Sequence, residues 1–271
     1  MSGFLEEMRA ASAARAAESS SRVSAAALES RIARSAPPRP LALRAGAFAV
    51  LAEVKRSSPA LGSLATEASL VPRARAYVDG GADAVSVLTE PARFGGSIED
   101  LEEIAGAVGA PVLRKDFLVD PYQIVEARAH GASGVLLIAR ILPDATLAAM
   151  LDASSSHGLF VLLESFDAAD VRRCLAALEG RARGSGDVLL GVNCRDLDTL
   201  AVDSGRFAAL RPHLPPGIPC IAESGLAAVQ DLVRVAELGY DGALVGAAFM
   251  RATEPRARVA EWKAAAIEAR S

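Results

Sequence analysis

Gly81-Ala82-Asp83-Ala84-Val85-Ser86-Val87-Leu88 places a glycine that can end a helix directly before an apolar run containing two valines. Glycine tolerates the left-handed backbone in which helices often finish, and an unbroken apolar run suits a strand buried on both faces. The phrase returns at Gly131-Ala132-Ser133-Gly134 and Gly239-Tyr240-Asp241-Gly242, each time ahead of another apolar run. One unit of helix, glycine and buried strand is being reused along the chain.

Working outward from these phrases, eight strands are read at 48–54, 84–88, 111–114, 134–139, 159–163, 188–192, 220–222 and 242–245. Helical segments between them imply parallel strands joined by crossovers. Eight such strands favour a closed barrel over an open, doubly wound sheet. The first strand leads into Glu53-Val54-Lys55-Arg56-Ser57-Ser58-Pro59, not into the glycine-rich turn of a dinucleotide-binding fold. The expected fold class is α/β, a (β/α)8 TIM barrel with an extra N-terminal helical segment. We expect one domain over 1–271, with the eight βα units in 46–271 and residues 1–40 forming an extension that covers the barrel mouth. Leu5, Met8, Val23, Leu28 and Ile32 give that extension helical spacing until Pro37-Pro38-Arg39-Pro40 stops it.

With 271 residues, 51% of them hydrophobic, the chain can build one large core. A net charge of −4, with basic residues dispersed, leaves no footprint for nucleic acid. No charge-free apolar run reaches transmembrane length and no secretory pattern opens the chain, so we expect no membrane partner and a cytoplasmic protein. Cys174, Cys194 and Cys220 are odd in number and widely spaced, and read as reduced, buried thiols. His130, His157 and His213 fall at helix ends or loops away from the strand tips, so no metal site is expected. An aromatic content of 4% suggests no large interface, and hence a monomer, with a homodimer as the alternative.

Barrels of this kind keep their chemistry at the C-terminal ends of the strands. There the first strand closes on Glu53 and Lys55, the third on Lys115 and Asp116, the fifth on Glu164, the sixth on Asn193 and Arg195, and the seventh on Glu223 and Ser224. Lysines and carboxylates crowded in a partly desolvated mouth shift one another's pKa values, which suits general acid and base catalysis. Two small turns, Glu223-Ser224-Gly225-Leu226 and Val245-Gly246-Ala247-Ala248, follow the seventh and eighth strands, where barrels commonly hold a phosphate on backbone N–H groups.

Several phrases together, Ala52-Glu53-Val54-Lys55-Arg56-Ser57-Ser58-Pro59, Ser86-Val87-Leu88-Thr89-Glu90, Phe94-Gly95-Gly96-Ser97 and Leu113-Arg114-Lys115-Asp116-Phe117, resemble the indole-3-glycerol-phosphate synthase family. Leu162-Leu163-Glu164, Gly191-Val192-Asn193-Cys194-Arg195-Asp196-Leu197, Ala222-Glu223-Ser224-Gly225 and Leu244-Val245-Gly246 continue the match in family order from about residue 45 onward. The resemblance implies closure, decarboxylation and dehydration of an anthranilate-linked ribulose 5-phosphate, with a sugar-phosphate substrate and no cofactor. It implies Lys115 as general acid at the ketone oxygen, Glu164 receiving or relaying a proton, and Glu53 stabilising a developing cationic nitrogen while orienting the lysines. Lys55 would bridge substrate anions, and Asn193 and Arg195 would hold hydroxyl and carboxylate groups. Glu223, Ser58, Phe94, Phe117 and Leu136 would complete the substrate site. Ser224, Gly225, Gly246 and Ala247 would cradle phosphate through backbone N–H groups.

Two places depart from the family pattern. Ser58-Pro59-Ala60-Leu61-Gly62 lacks the serine and lysine usual after Ser-Pro, and Gly246-Ala247-Ala248 lacks the usual hydroxyl. A homologue acting on a substituted anthranilate and a non-catalytic phosphate-binding scaffold are therefore the alternatives. A phosphoribosylanthranilate isomerase would want a cysteine or aspartate pair at strands one and five, where this chain has Glu53, Lys55 and Glu164.

Overall fold

The computed structural model describes residues 3–43, 46–65, 68–181, 188–197 and 199–270. The first two and the last residue of the expected single domain lie outside them. Eight parallel strands close into a barrel: β1 (Ala49–Val54), β2 (Ala84–Leu88), β3 (Val112–Lys115), β4 (Gly134–Ile138), β5 (Phe160–Ser165), β6 (Val188–Asn193), β7 (Cys220–Glu223) and β8 (Gly242–Val245). Each strand pairs with its neighbours in sequence, and β1 closes the ring on β8 with Ala49 opposite Gly242 and Ala52 opposite Val245.

Two N-terminal helices, α1 (Phe4–Arg22) and α2 (Ala25–Ile32), precede the barrel. Around it run α3 (Val71–Asp79), a short α4 (Pro91–Phe94), α5 (Ile98–Ala107), α6 (Pro121–Ala129), α7 (Asp144–Ser156) and α8 (Ala168–Leu178). The ring is completed by α9 (Gly205–Leu210), α10 (Val229–Glu237), the four-residue α11 (Ala247–Met250) and α12 (Pro255–Glu268). The α/β barrel with an extra helical N-terminus is the fold the sequence pattern predicts. Gly81, Gly131 and Gly239 all have φ between 84° and 91°, so the recurring phrase is a left-handed stop before each buried strand.

The strands run further than their apolar stretches. Lys115, Glu164, Asn193 and Glu223 lie within β3, β5, β6 and β7, since ladder pairing continues past the last hydrophobic residue. Side chains alternate along a strand, and one parity points into the barrel. Lower down that parity carries Gly134 and Phe160, whose ring occupies the space a Cβ on Gly134 would need.

The N-terminal segment departs from a uniform helix. It breaks at Val23, which is exposed, and Ser24 restarts it by capping Ala27 N. The buried stripe of α1 is Met8, Ser12 and Ala16, a four-residue spacing of which a search for large apolar residues finds Met8 and passes over the small Ser12 and Ala16. Ser12 Oγ accepts a hydrogen bond from Gln123 Nε2 of α6 at 2.9 Å, and Leu28 of α2 packs on Val125 and Ala129. Among the described residues no helix is long and apolar enough to cross a membrane.

Candidate active site

The inward parity that fills the barrel becomes a charged floor at its C-terminal end. A cavity of about 680 Å³ opens there. Its strand-borne walls are Glu53, Leu88, Lys115, Leu136, Ile138, Glu164, Glu223 and Leu244, all on one parity of their strands. Ser58, Phe94, Phe117, Arg195, Ser224, Gly225, Gly246 and Ala247 reach it from the loops and from α4 and α11.

Glu53 is the hub. Its Oε1 receives Lys55 Nζ at 2.5 Å, and its Oε2 lies 3.8 Å from Lys115 Nζ. Burial works against its charge, but the two ammonium groups outweigh burial and hold the carboxyl below its usual value. Burial likewise opposes the Lys115 charge, and Glu53, Glu164 and Glu223 together overcome it and raise the ammonium above an ordinary lysine. Lys115 therefore keeps its proton while facing an apolar-walled cavity.

Glu164 and Glu223 form the other half of the floor. No N–H or hydroxyl donor among the described residues reaches either Glu223 oxygen or Glu164 Oε1, and the two carboxyls adjoin. Burial and the Glu164 charge push Glu223 well above the ordinary carboxylate range. Burial lifts Glu164 as well, against the pull of Lys115. Like charges this close do not both ionise readily, so each carboxyl resists losing its proton beside the other. Gly191 makes room for it, because a Cβ there would stand 2.1 Å from Glu223 Oε1.

Asn193 lies level with Glu223 in the neighbouring strand but does not itself line the cavity. Its Nδ2 donates to Glu164 Oε2 at 3.1 Å and its Oδ1 accepts from Arg195 N at 2.9 Å, so it fixes its neighbours. Arg195 lines the cavity and donates to Leu200 O at 2.9 Å. Ser58 Oγ is buried at the cavity edge without a hydrogen-bond partner among the described residues.

Opposite the charged floor stands an aromatic wall. Phe117 lies 5.9 Å from Phe4 of α1 and 6.3 Å from Phe94, ring centre to ring centre. Both barrel-borne rings are pinned by buried carboxylates. Glu90 caps α4 by accepting from Ala92 N, Arg93 N and Phe94 N, and Asp116 Oδ1 accepts from Phe117 N at 2.8 Å. Arg15 of α1 ties the two together, 2.7 Å from Asp116 and 3.5 Å from Glu90.

At the far end the turns after β7 and β8 meet. Ser224 takes a left-handed φ of 67°, unusual for a residue with a Cβ, and Gly225 follows at 65°. Gly246 lies so close to the floor that a Cβ would stand 2.3 Å from Glu53 Oε1 and 2.9 Å from Lys55 Nζ. The short helix α11 begins immediately after it.

Sequence reasoning did not find Phe4, Leu197, Leu200, Val202, Arg251 or Arg258, all of which line the cavity. Phe4 carried the clearest signal, as the first large apolar residue of a helical segment. The three cysteines are free and buried, with thiols pushed up by burial to about 12, 11 and 12 for Cys174, Cys194 and Cys220. They take no part in the cavity floor. Among the described residues no cluster of His, Cys, Asp and Glu could hold a metal ion.

A family model described as indole-3-glycerol phosphate synthase matches residues 5–262. The chain belongs to the indole-3-glycerol phosphate synthase family. The indole-3-glycerol phosphate synthase of Mycobacterium avium (strain 104) is 47% identical over 237 residues, covering 86% of this chain and 84% of the relative. That of Mycobacterium tuberculosis (strain CDC 1551 / Oshkosh) is 44% identical over 265 residues, covering 96% and 92%. Among solved structures, a thiamine phosphate pyrophosphorylase from Pyrococcus furiosus superposes with a TM-score of 0.58 at 18% identity, covering 84% of this chain and 99% of that one. A 3-hexulose-6-phosphate synthase from Salmonella typhimurium gives 0.59 at 16%, covering 82% and 99%. At these identities the likeness is one of fold alone.

Proposed function

We propose that the cavity performs its family's reaction with the charged floor as acid and base and the aromatic wall as the seat of the substrate's ring. Family membership makes the chain a carbon–carbon lyase of tryptophan biosynthesis acting on a phosphorylated small molecule. The substrate is the anthranilate-linked ribulose 5-phosphate, whose ring carbon bearing the carboxylate attacks the sugar ketone.

Lys115 donates a proton to the ketone oxygen as the new carbon–carbon bond forms, and its raised pKa keeps that proton available. Loss of carbon dioxide restores the aromatic ring, and loss of the new hydroxyl as water leaves the indole. Glu164 handles the proton that moves in this last stage, and Asn193 holds it in place. Glu53, kept ionised by its two lysines, stabilises positive charge on the substrate nitrogen. Glu223 completes the polar ring beside Glu164, and Arg195 offers its guanidinium edge to a substrate anion. Backbone N–H groups of Ser224, Gly225, Gly246 and Ala247, together with Lys55, take the phosphate; the support is the paired turns and short helix at this end of the barrel.

The N-terminal helices serve as the cover, through Phe4 on the aromatic wall and Arg15 on Asp116. Free, buried cysteines support work in the reducing cytoplasm.

The observation that carries this reading is a charged ammonium, Lys115, held among three buried carboxylates in a cavity with an aromatic wall. The test is single-turnover indole fluorescence with the anthranilate ribulose phosphate. Product should form with the wild type, and Lys115→Ala should lower the rate about 10²- to 10⁴-fold. Tight binding without product in the wild type would point to a scaffold and sink the assignment of roles.

A further inference from the structure

We propose that Arg251 grips the substrate phosphate, its guanidinium closing over the end of the cavity where Gly246 and Ala247 present their backbone. This rests on reading the substrate as a sugar phosphate. Five cationic side chains line the cavity: Lys55, Lys115, Arg195, Arg251 and Arg258. Four are already engaged. Lys55 and Lys115 share Glu53, Arg195 donates to Leu200 O, and Arg258 lies 3.6 Å from Glu261 and over the Trp262 ring. Among the described residues only Arg251 lines the cavity with its guanidinium free of ion pairs and hydrogen bonds.

Its position in the chain aims it. Arg251 follows α11 directly and its N–H closes the helix on Ala247 O at 3.1 Å, so it stands one helical turn beyond Ala247 on the same face. Side chains on a helix lean toward its N-terminus, and an extended arginine is longer than one turn of about 5.4 Å. The guanidinium can therefore reach back over the first turn of α11, where the alanine side chains of Ala247 and Ala248 leave the space open and offer no hydroxyl. A phosphate seated on the backbone N–H groups presents its remaining oxygens outward. A guanidinium fork matches two of them.

Kinetics with the sugar-phosphate substrate and calorimetric titration of inorganic phosphate test the proposal on wild type, Arg251→Ala and Arg251→Lys. We expect Arg251→Ala to raise KM about tenfold, with a smaller fall in kcat, and to weaken inorganic phosphate by a similar factor, as loss of one charge-assisted contact would. Arg251→Lys should recover part of both. Equal phosphate affinity in wild type and Arg251→Ala overturns the proposal, and so does a wild type that does not bind phosphate. If phosphate binding depends on Arg251 but the wild type yields no indole, the reaction assignment fails and the phosphate contact stands. Should Arg251→Ala fail to fold, the lysine variant decides, because unchanged phosphate affinity and KM there overturn the proposal.

Discussion

The two ends of the barrel use the same residue types to opposite purpose. At the N-terminal end Asp83 accepts from Val50 N at 2.8 Å and from Lys263 at 2.8 Å. Asp241 likewise accepts from Cys220 N at 2.9 Å and from Arg270 at 3.1 Å. Each of these carboxylates joins an N–H in the first two residues of a strand to a cation of the last helical segment or just beyond it. At the C-terminal end Glu164 and Glu223 are more deeply buried, yet three of their four oxygens lack any donor among the described residues. A satisfied carboxylate stabilises the fold; an unsatisfied one costs stability and stays ready for a substrate.

If that contrast holds, the largest separation should come from Glu164→Gln. Turnover should drop about 100-fold in single-turnover fluorescence, while the midpoint of urea unfolding is kept or raised. A large stability loss would mean that Glu164 supports the barrel as Asp83 does. The reverse case is Asp83→Ala, which strands the buried Val50 N–H. Unfolding free energy should fall by about 1 to 3 kcal/mol, and kcat at low temperature should stay within about threefold of wild type.

The smallest effect sharpens the comparison through pH. A carboxyl whose folded pKa is raised binds more protons folded than unfolded, so stability declines as pH rises from the ordinary value near 4.3 through the raised one. Glu223 is such a group. Glu223→Gln removes that decline and gives Glu164 an amide donor. Its melting temperature should exceed wild type by more at pH 8 than at pH 5, a difference corresponding to about 1 kcal/mol. An advantage that is equal at both pH values would break the argument.

The barrel was legible because each strand is an apolar block set off by a positive-φ glycine, as at Gly81 before β2. Strand ends were less so: β7 continues to Glu223 because Asn193 pairs opposite it, and hydrophobicity does not report hydrogen bonding. The charged floor could be read from polar residues closing apolar runs. Arg15 could not, since its partner Asp116 lies 101 positions away and becomes a neighbour only when α1 docks. Arg251 was hidden for a related reason, because its place beside the cavity depends on the short α11 that turns it back.

The seam between β1 and β8 also sets an order in time. Glu53 and Lys55 are translated almost two hundred residues before Gly246, which abuts both. While the chain is emerging from the ribosome, an apolar strand ending in a carboxylate has no β8 to lie against. The reactive centre is thus completed only once β8 has been made, and a chain halted before β8 would carry seven strands with an open edge and no assembled catalytic floor.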